Sequence, residues 1–346
     1  MTIFNVGVTP SGIAITPNGE YAYVTNSNNY DIPGSDSVTV LDLNTNLPKI
    51  TIVDPSFKEP YRVAINKTGT KAYVANSGSP LVVGQAGTVT IIDTATNTVS
   101  GVITDFDGPS GVALLQNEKV NLAYVNNYGA EGGVKSGNGT TVSVVDLNIN
   151  TIIDTITVGL APTAVILSHN LKYLYVINYN DGEPGTGFLS IITTYNNKVV
   201  ATIPGLSGPF GIALSKDSNY AYVTNFGSNN FAPYGTTVSV VDLRRRKIIK
   251  NITTGIQPSG IAVSPCGSYA YVSNYNALYA KANFQNLTYG QGSISTIRLR
   301  DNKLIAPTIS AGQTPSNIAI TPSGDRLLVI NYVMNVIRSI PLCHEK

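Results

Sequence analysis

The side chains that do most acid–base, metal and nucleophilic chemistry are scarce in this sequence. Two histidines (His169, His344), two cysteines (Cys266, Cys343) and no tryptophan are spread over 346 residues. That excludes zinc fingers, poly-histidine metal cages and disulfide-built scaffolds. His169 sits in a turn, Ser168-His169-Asn170, and His344 in the C-terminal tail, so neither suggests a Ser-His-Asp or Cys-His site. Asp181-Gly182-Glu183 offers oxygen ligands of the kind Ca²⁺ takes, but Asp-Gly is first of all a turn signal. Asp181 and Glu183 are therefore weak candidates, and no metal or cofactor is expected. The single charge cluster, Arg244-Arg245-Arg246-Lys247, reads as a solvated turn. What remains is Arg62, in Pro60-Tyr61-Arg62, and an unusual supply of 20 tyrosines.

These residues must be positioned by a repeat. Pro-Ser-Gly-Ile-Ala-Ile, a turn, then Tyr-Ala-Tyr-Val-Thr-Asn runs from Pro10 to Asn26, and variants of it begin at Pro60, Pro109, Pro162, Pro209, Pro258 and Pro315. The second segment always ends on Asn: Asn26, Asn76, Asn127, Asn178, Asn225, Asn274 and Asn331. A third segment ending on Asp (Asp42, Asp93, Asp146, Asp242) and a fourth follow in most copies. Val, Ile, Tyr and Thr dominate all four, and helical spacing is absent. Four strands in about 50 residues is the period of a β-propeller blade. The expected architecture is all-β: one seven-bladed propeller domain over 1–346, with a short tail at 342–346. The last copy lacks a fourth strand and the chain begins with an orphan strand near Thr2–Val6. That strand is expected to complete blade 7 and close the ring.

Strand direction sorts the connections onto two faces. The a–b and c–d turns are short, whereas the b–c loops are long in every blade but the seventh. Long loops on a rigid scaffold are where binding residues collect. Their aromatics, with Arg62 on the inner strand, give a candidate binding face: Tyr30, Arg62, Tyr128, Tyr179, Phe226, Tyr234, Tyr275, Tyr279, Tyr289 and Tyr332. The start of the inner strands offers Ser11, Tyr61-Arg62, Ser110, Thr163, Phe210, Ser259 and Ser316 to the channel, with Arg62 the only charge. The recurrent Asn and Asp residues read as loop and turn caps. Cys266 and Cys343, on the short-turn face of adjacent blades, are candidates for a bracing disulfide.

Tyr23-Val24-Thr25-Asn26 and Tyr222-Val223-Thr224-Asn225, with variants ending at Asn76, Asn178 and Asn274, resemble the signature of YVTN-repeat β-propeller proteins. The resemblance spans nearly the whole chain and implies a seven-bladed propeller of the kind found in archaeal surface-layer and bacterial surface proteins. Related propellers include lactonases and streptogramin lyases, which place His, Glu or metal-ligating side chains in the channel. Charged residues are 12% of the chain against about 25% in ordinary domains, and net charge is +2. No nucleic-acid partner and no membrane insertion are therefore expected. The opening MTIFNVGVTPSG has no signal-peptide pattern. The resulting expectation is a non-catalytic structural or adhesive protein on a cell, spore or virus-particle surface, or extracellular. It would bind protein or glycan partners, including copies of itself, through the long-loop face. The alternative is a lactonase- or lyase-type enzyme acting at the channel mouth.

Overall fold

The structure is a computed structural model that describes residues 2–27, 36–78, 86–131, 134–135, 137–180, 184–228, 234–279 and 287–342. The described residues form seven four-stranded antiparallel sheets and two short hairpins, with no helix. Blade 1 holds strands Pro10–Ile15, Tyr21–Asn26, Ser37–Asp42 and Leu47–Val53, hydrogen-bonded in that order, and blades 2 to 6 repeat the arrangement. The hairpins Ala130–Glu131 with Val134–Lys135 and Ala277–Tyr279 with Leu287–Tyr289 decorate the b–c connections of blades 3 and 6. Adjacent inner strands contact one another in sequence, and Pro315–Ile320 returns to Pro10–Ile15.

Blade 7 is Pro315–Ile320, Arg326–Asn331, Val336–Pro341 and then Thr2–Asn5, the strand from the other end of the chain. Its register pairs Thr2 with Ser339 and Asn5 with Val336. Phe4 is buried there among Ala22, Leu41, Leu328 and Ile337, so closure joins blade 7 to blade 1 with apolar packing as well as ladder hydrogen bonds.

Each blade buries its faces against its neighbours, so the core is seven inter-blade clusters rather than one. Between blades 4 and 5, for example, Tyr175, Ile177 and Leu189 meet Leu214, Val223 and Val241. Two polar ties cross the same seams. At the inner strands, hydroxyls donate to the next blade's carbonyls: Ser11 Oγ to Pro60 O at 2.9 Å, Thr163 Oγ1 to Pro209 O at 2.9 Å and Ser259 Oγ to Ser316 O at 2.7 Å. On the short-turn face, the repeat tyrosine reaches the next blade's c–d turn. Tyr23, Tyr124 and Tyr222 donate to Asn97, Asn197 and Asn302 Oδ1 at 2.6, 3.0 and 2.9 Å. Those Asn residues take the left-handed conformation their turn requires. Leu328 replaces the tyrosine in blade 7, and Arg326 makes the tie to blade 1, donating to Leu43 O and Asn46 Oδ1. The recurrent aspartates cap the same turns, as Asp42 Oδ1 does for the Asn44 and Thr45 N–H groups.

Candidate functional site

The long-loop face is shaped by one backbone device repeated in all seven blades. The residue before each inner-strand proline is left-handed: Thr9, Glu59, Gly108, Ala161, Gly208, Gln257 and Thr314, with φ between 46° and 57°. Five of the seven are not glycine, a conformation that costs about 1–2 kcal/mol each for an L-residue. The geometry turns each carbonyl toward the residue that follows the repeat Asn. Ser27, Ser77, Tyr128, Tyr179, Phe226, Tyr275 and Tyr332 all donate their N–H to it, at 2.9–3.2 Å. The repeat Asn locks the same corner more broadly than a simple loop cap. Asn178 Nδ2 donates to Ser190 Oγ on strand c, while its Oδ1 accepts the Gly159 N–H from the preceding connection. The residues after the Asn therefore stand as a ring around the channel mouth, and each inner strand is irregular in register just past its proline.

Arg62 lies on the floor of this ring. It leaves the inner strand of blade 2, its Cδ passes Gly111 of blade 3, and its Nη2 donates to the Phe210 carbonyl of blade 5 at 3.1 Å. The side chain thus spans the channel. The equivalent positions of the other blades are Gly12, Gly111, Ala164, Gly211, Gly260 and Asn317. Several must be small because neighbouring strands approach closely: a Cβ on Gly12 would lie 2.8 Å from Arg62 Cα. The guanidinium has the Tyr61 ring at 6.0 Å and the Phe210 ring at 5.8 Å, within cation–π range. Its Nε is buried with no hydrogen-bond partner. Desolvation pulls the guanidinium below its ordinary range, although it stays charged.

Aromatics surround this cation unevenly. Burial, with smaller contributions from Tyr61 and Tyr179, pushes the Tyr128 phenol up to about 12. Burial also raises Tyr61, against the opposing effect of Arg62. Tyr179 reaches into blade 5 and donates to Gly227 O at 3.0 Å. Phe226 packs between Phe210 at 5.4 Å and Tyr275 at 6.0 Å. An aromatic arc therefore runs from blade 2 to blade 6, while blade 1 contributes Ser11 and Ser27. Phenols held above their ordinary value are neutral hydrogen-bond donors at physiological pH, not bases. A guanidinium flanked by the Tyr61 and Phe210 rings is a group suited to bind an oxyanion, or to stabilise one as it forms.

The expected site residues divide accordingly. Arg62, Tyr128, Tyr179 and Tyr275 gather at the mouth. Phe226, expected to contact partners, is only 6% exposed, because Phe210 and Tyr275 enclose it. Tyr332 takes its backbone place in the ring. Tyr234 pairs with Gly227 at the foot of the blade 5 loop, and Tyr279 and Tyr289 belong to the blade 6 hairpin. Tyr30, Asp181, Glu183 and Cys343 lie outside the described residues. Cys266 is an exposed free thiol on the short-turn face, its Sγ 3.2 Å from Ser264 Oγ. It lines a groove of about 890 Å³ with Lys216, Tyr269, Arg298 and Arg300. His169 is exposed on that face, its Nδ1 2.7 Å from Ser218 Oγ. Among the described residues, no three His, Cys, Asp or Glu side chains are grouped to hold a metal. The sequence reading missed Phe210 as the acceptor for Arg62. It also missed Glu59, a carboxylate 8% exposed on the left-handed ring, whose backbone N–H donates to Asp36 Oδ2 at 2.9 Å.

The architecture defines the class: a seven-bladed, all-β propeller of four-stranded blades closed by its N-terminal strand. Known proteins agree. Residues 188–340 match the model of the family described as lactonase, 7-bladed beta-propeller. The seven-bladed beta-propeller protein Rv1057 of Mycobacterium tuberculosis is 27% identical over 263 residues, 67% of this chain and 60% of that protein. PE-PGRS family protein PE_PGRS18 of the same organism is 50% identical over 64 residues, 18% of this chain and 12% of that protein. The chain thus matches less than two thirds of the length of either relative. Kuenenia stuttgartiensis hydrazine synthase has a chain with TM-score 0.77 and 18% identity, covering 97% of this chain and 96% of that one, a likeness of fold alone. These matches support the propeller class and not the surface-layer part of the expectation. The lactonase match also overturns the expectation of a non-enzyme. That expectation had argued from missing His and carboxylate residues on the channel ring, and so gave no weight to the cation and neutral donors the ring does carry.

Proposed function

We propose that this propeller is a lactonase-type hydrolase acting at the channel mouth on its long-loop face. Support for the reaction class comes from the match of residues 188–340 to the lactonase propeller family. The observation that carries the site is Arg62, spanning the channel from blade 2 to the Phe210 carbonyl between the Tyr61 and Phe210 rings. Hydrolysis of a lactone adds water across the ring C–O bond of the ester and releases a hydroxy acid. Negative charge builds on the carbonyl oxygen as the tetrahedral intermediate forms, and fixed donors aimed there lower the barrier. The Tyr128 phenol, held neutral to about 12, is the donor we assign to that oxygen. The aromatic arc walls the mouth, which strengthens such interactions by excluding water.

The test is acid release on a panel of γ- and δ-lactones, followed at constant pH for the wild type and Tyr128→Phe. The wild type should open at least one lactone well above the buffer rate. Losing one oxyanion donor should slow it about 10²-fold. No turnover across the panel, or an unchanged rate in Tyr128→Phe, would reject the assignment.

A further inference from the structure

The short-turn face is neutral over most of its circuit and strongly basic in one sector. The c–d turns of blades 1 to 4 (43–46, 94–97, 147–150 and 194–197) carry no charge. Blade 5 turns on Leu243-Arg244-Arg245-Arg246 and blade 6 on Leu299-Arg300-Asp301-Asn302. Residues 215–219, 242–250, 264–268 and 298–303 of these two blades hold nine of the chain's 22 Lys and Arg but three of its 20 acids. Two of those acids are taken, Asp242 by Arg245 and Asp301 by Arg298. No carboxylate of the described residues forms an ion pair with Arg244, Arg246, Lys247, Arg300 or Lys303.

The scaffold does not call for these cations. Five of the six c–d turns place Asn at the left-handed position: Asn46, Asn97, Asn150, Asn197 and Asn302. Blade 5 places Arg246 there, with φ 54°. Asn enters this conformation more readily than Arg, and its Oδ1 accepts the previous blade's phenol at three seams. A guanidinium accepts nothing. Arg246 reaches instead to Val200 O on the outer strand of blade 4, at 3.5 Å. Lys250 of blade 5 donates to Asn302 O at 2.7 Å, which joins the two basic turns into one rim. The rim runs into the groove beside Cys266, where Lys216, Arg298 and Arg300 meet Ser215, Ser264 and Ser268. The groove's tyrosines are not stacking platforms: Tyr222 and Tyr271 are buried in two seam cores, and Tyr220 and Tyr269 pack against those cores.

We infer that this rim and groove bind an acidic polysaccharide, its sulfate or uronate groups on the arginine forks and its sugar rings against the hydroxyls of the groove. A guanidinium fork matches two oxygens of a carboxylate or sulfate. A concave, hydroxyl-lined groove suits sugar hydroxyls, whereas a flat anionic bilayer would not enter it. Single-stranded nucleic acid would want open rings on which to stack its bases. The site lies on the face opposite the channel mouth and does not rest on the hydrolase reading.

The test is fluorescence anisotropy of a labelled, size-defined heparin oligosaccharide titrated with the full chain at about 0.15 M salt, where long-range charge effects are screened. Competitors are oligogalacturonate, neutral dextran, poly(dT) and phosphatidylserine vesicles. The oligosaccharide should bind saturably, dextran should not displace it, and poly(dT) and vesicles should compete poorly at equal charge. Oligogalacturonate, which has carboxylates alone, separates carboxylate from sulfate recognition. Replacing Arg244, Arg246 and Arg300 together by Ser should weaken binding tenfold or more, the loss expected for charge-assisted contacts. Replacing them by Lys keeps the charge and loses the forks; this variant should fall between, and covers the case in which the Ser variant fails to fold. Replacing Lys49, Lys67 and Lys71 by Ser removes the same charge from blades 1 and 2 and should leave binding nearly unchanged. Alkylating Cys266 with N-ethylmaleimide in a Cys343→Ser background narrows the groove without altering charge and should remove part of the affinity. The inference is overturned if the wild type shows no saturable binding, or if the control on blades 1 and 2 loses as much as the arginine variant. It is equally overturned if alkylation changes nothing, or if poly(dT) or vesicles displace the oligosaccharide at equal charge. The lactone assay reads the opposite face, so its failure would remove the hydrolase reading and leave this one standing.

Discussion

The two faces of the ring are built from the same repeat and put it to different uses. On the short-turn face the contacts follow the repeat. In blades 1, 2, 3 and 5 an Asp caps the c–d turn, and at three seams a Tyr phenol from the previous blade donates to the left-handed Asn of the next. Where blade 7 loses the Tyr, Arg326 restores the tie. On the long-loop face the backbone device is equally regular, seven left-handed residues each accepting one N–H, but the side chains depart from it. Blades 1 and 2 place Ser27 and Ser77 where blades 3 to 7 place aromatics, and blade 2 alone places a cation where the others carry Gly, Ala or Asn. Repetition specifies the scaffold, and departure from it marks the proposed site.

That contrast breaks most visibly if the scaffold is opened. Deleting residues 1–6 removes a ladder and the buried Phe4, and should lower the melting temperature by more than 10 °C; Phe4→Ala alone should cost about 3–5 kcal/mol by chemical denaturation. An unchanged melting point for the deletion would defeat the closure model. Next in size is the response to alkali. The repeat phenols Tyr23, Tyr124, Tyr175 and Tyr222 are pushed by burial up to about 12 from an ordinary 10.0. Their folded pKa lies above the unfolded value, so the stability they contribute is complete below pH 10 and is lost as pH rises toward about 12. Tyrosinate absorbance should therefore keep a late component that rises together with loss of β-sheet circular dichroism, between pH 10 and 12. Ionisation of every tyrosine near pH 10 in a protein that stays folded would contradict this.

Smaller effects separate the faces more finely. Tyr222→Phe removes one short-turn tie and should cost about 1 kcal/mol without changing lactone hydrolysis. Hydroxyl hydrogen bonds from Ser264 and Ser268 lower the Cys266 thiol, so it should alkylate readily at neutral pH, with no effect on chemistry at the opposite face. Loss of lactone hydrolysis on alkylating Cys266 in a Cys343→Ser background would move the site to the groove beside it.

Much of the scaffold is legible in the primary structure because its signals are local and repeated. Strands beginning at the prolines, the seven Asn ends and the closing strand all come from period and pairing pattern, and boundaries shift by a residue or so. Arg62 stands out for the same reason, as the one charge on a repeating uncharged position. What joins Arg62 to Phe210, or Tyr23 to Asn97, was not legible. These contacts link residues 148 and 74 apart, and depend on the offset and twist between blades. Left-handed backbone before proline was also hidden, because the pre-proline preference is for extended conformations. The non-enzyme expectation rested on counting acids and bases at the channel, and the family match that overturns it lies in the overall pattern of residues 188–340 rather than in any such local set.

The division between the faces is tested most directly by measuring lactone hydrolysis and melting temperature side by side in Arg62→Met and Tyr222→Phe. We expect Arg62→Met to lose at least tenfold in turnover of a lactone that the wild type opens while melting within about 2 °C of wild type. That fold-change is the one expected for removing a charge-assisted hydrogen bond. Tyr222→Phe should melt lower and turn over normally. A stable, fully active Arg62→Met beside an inactive Tyr222→Phe would contradict the account.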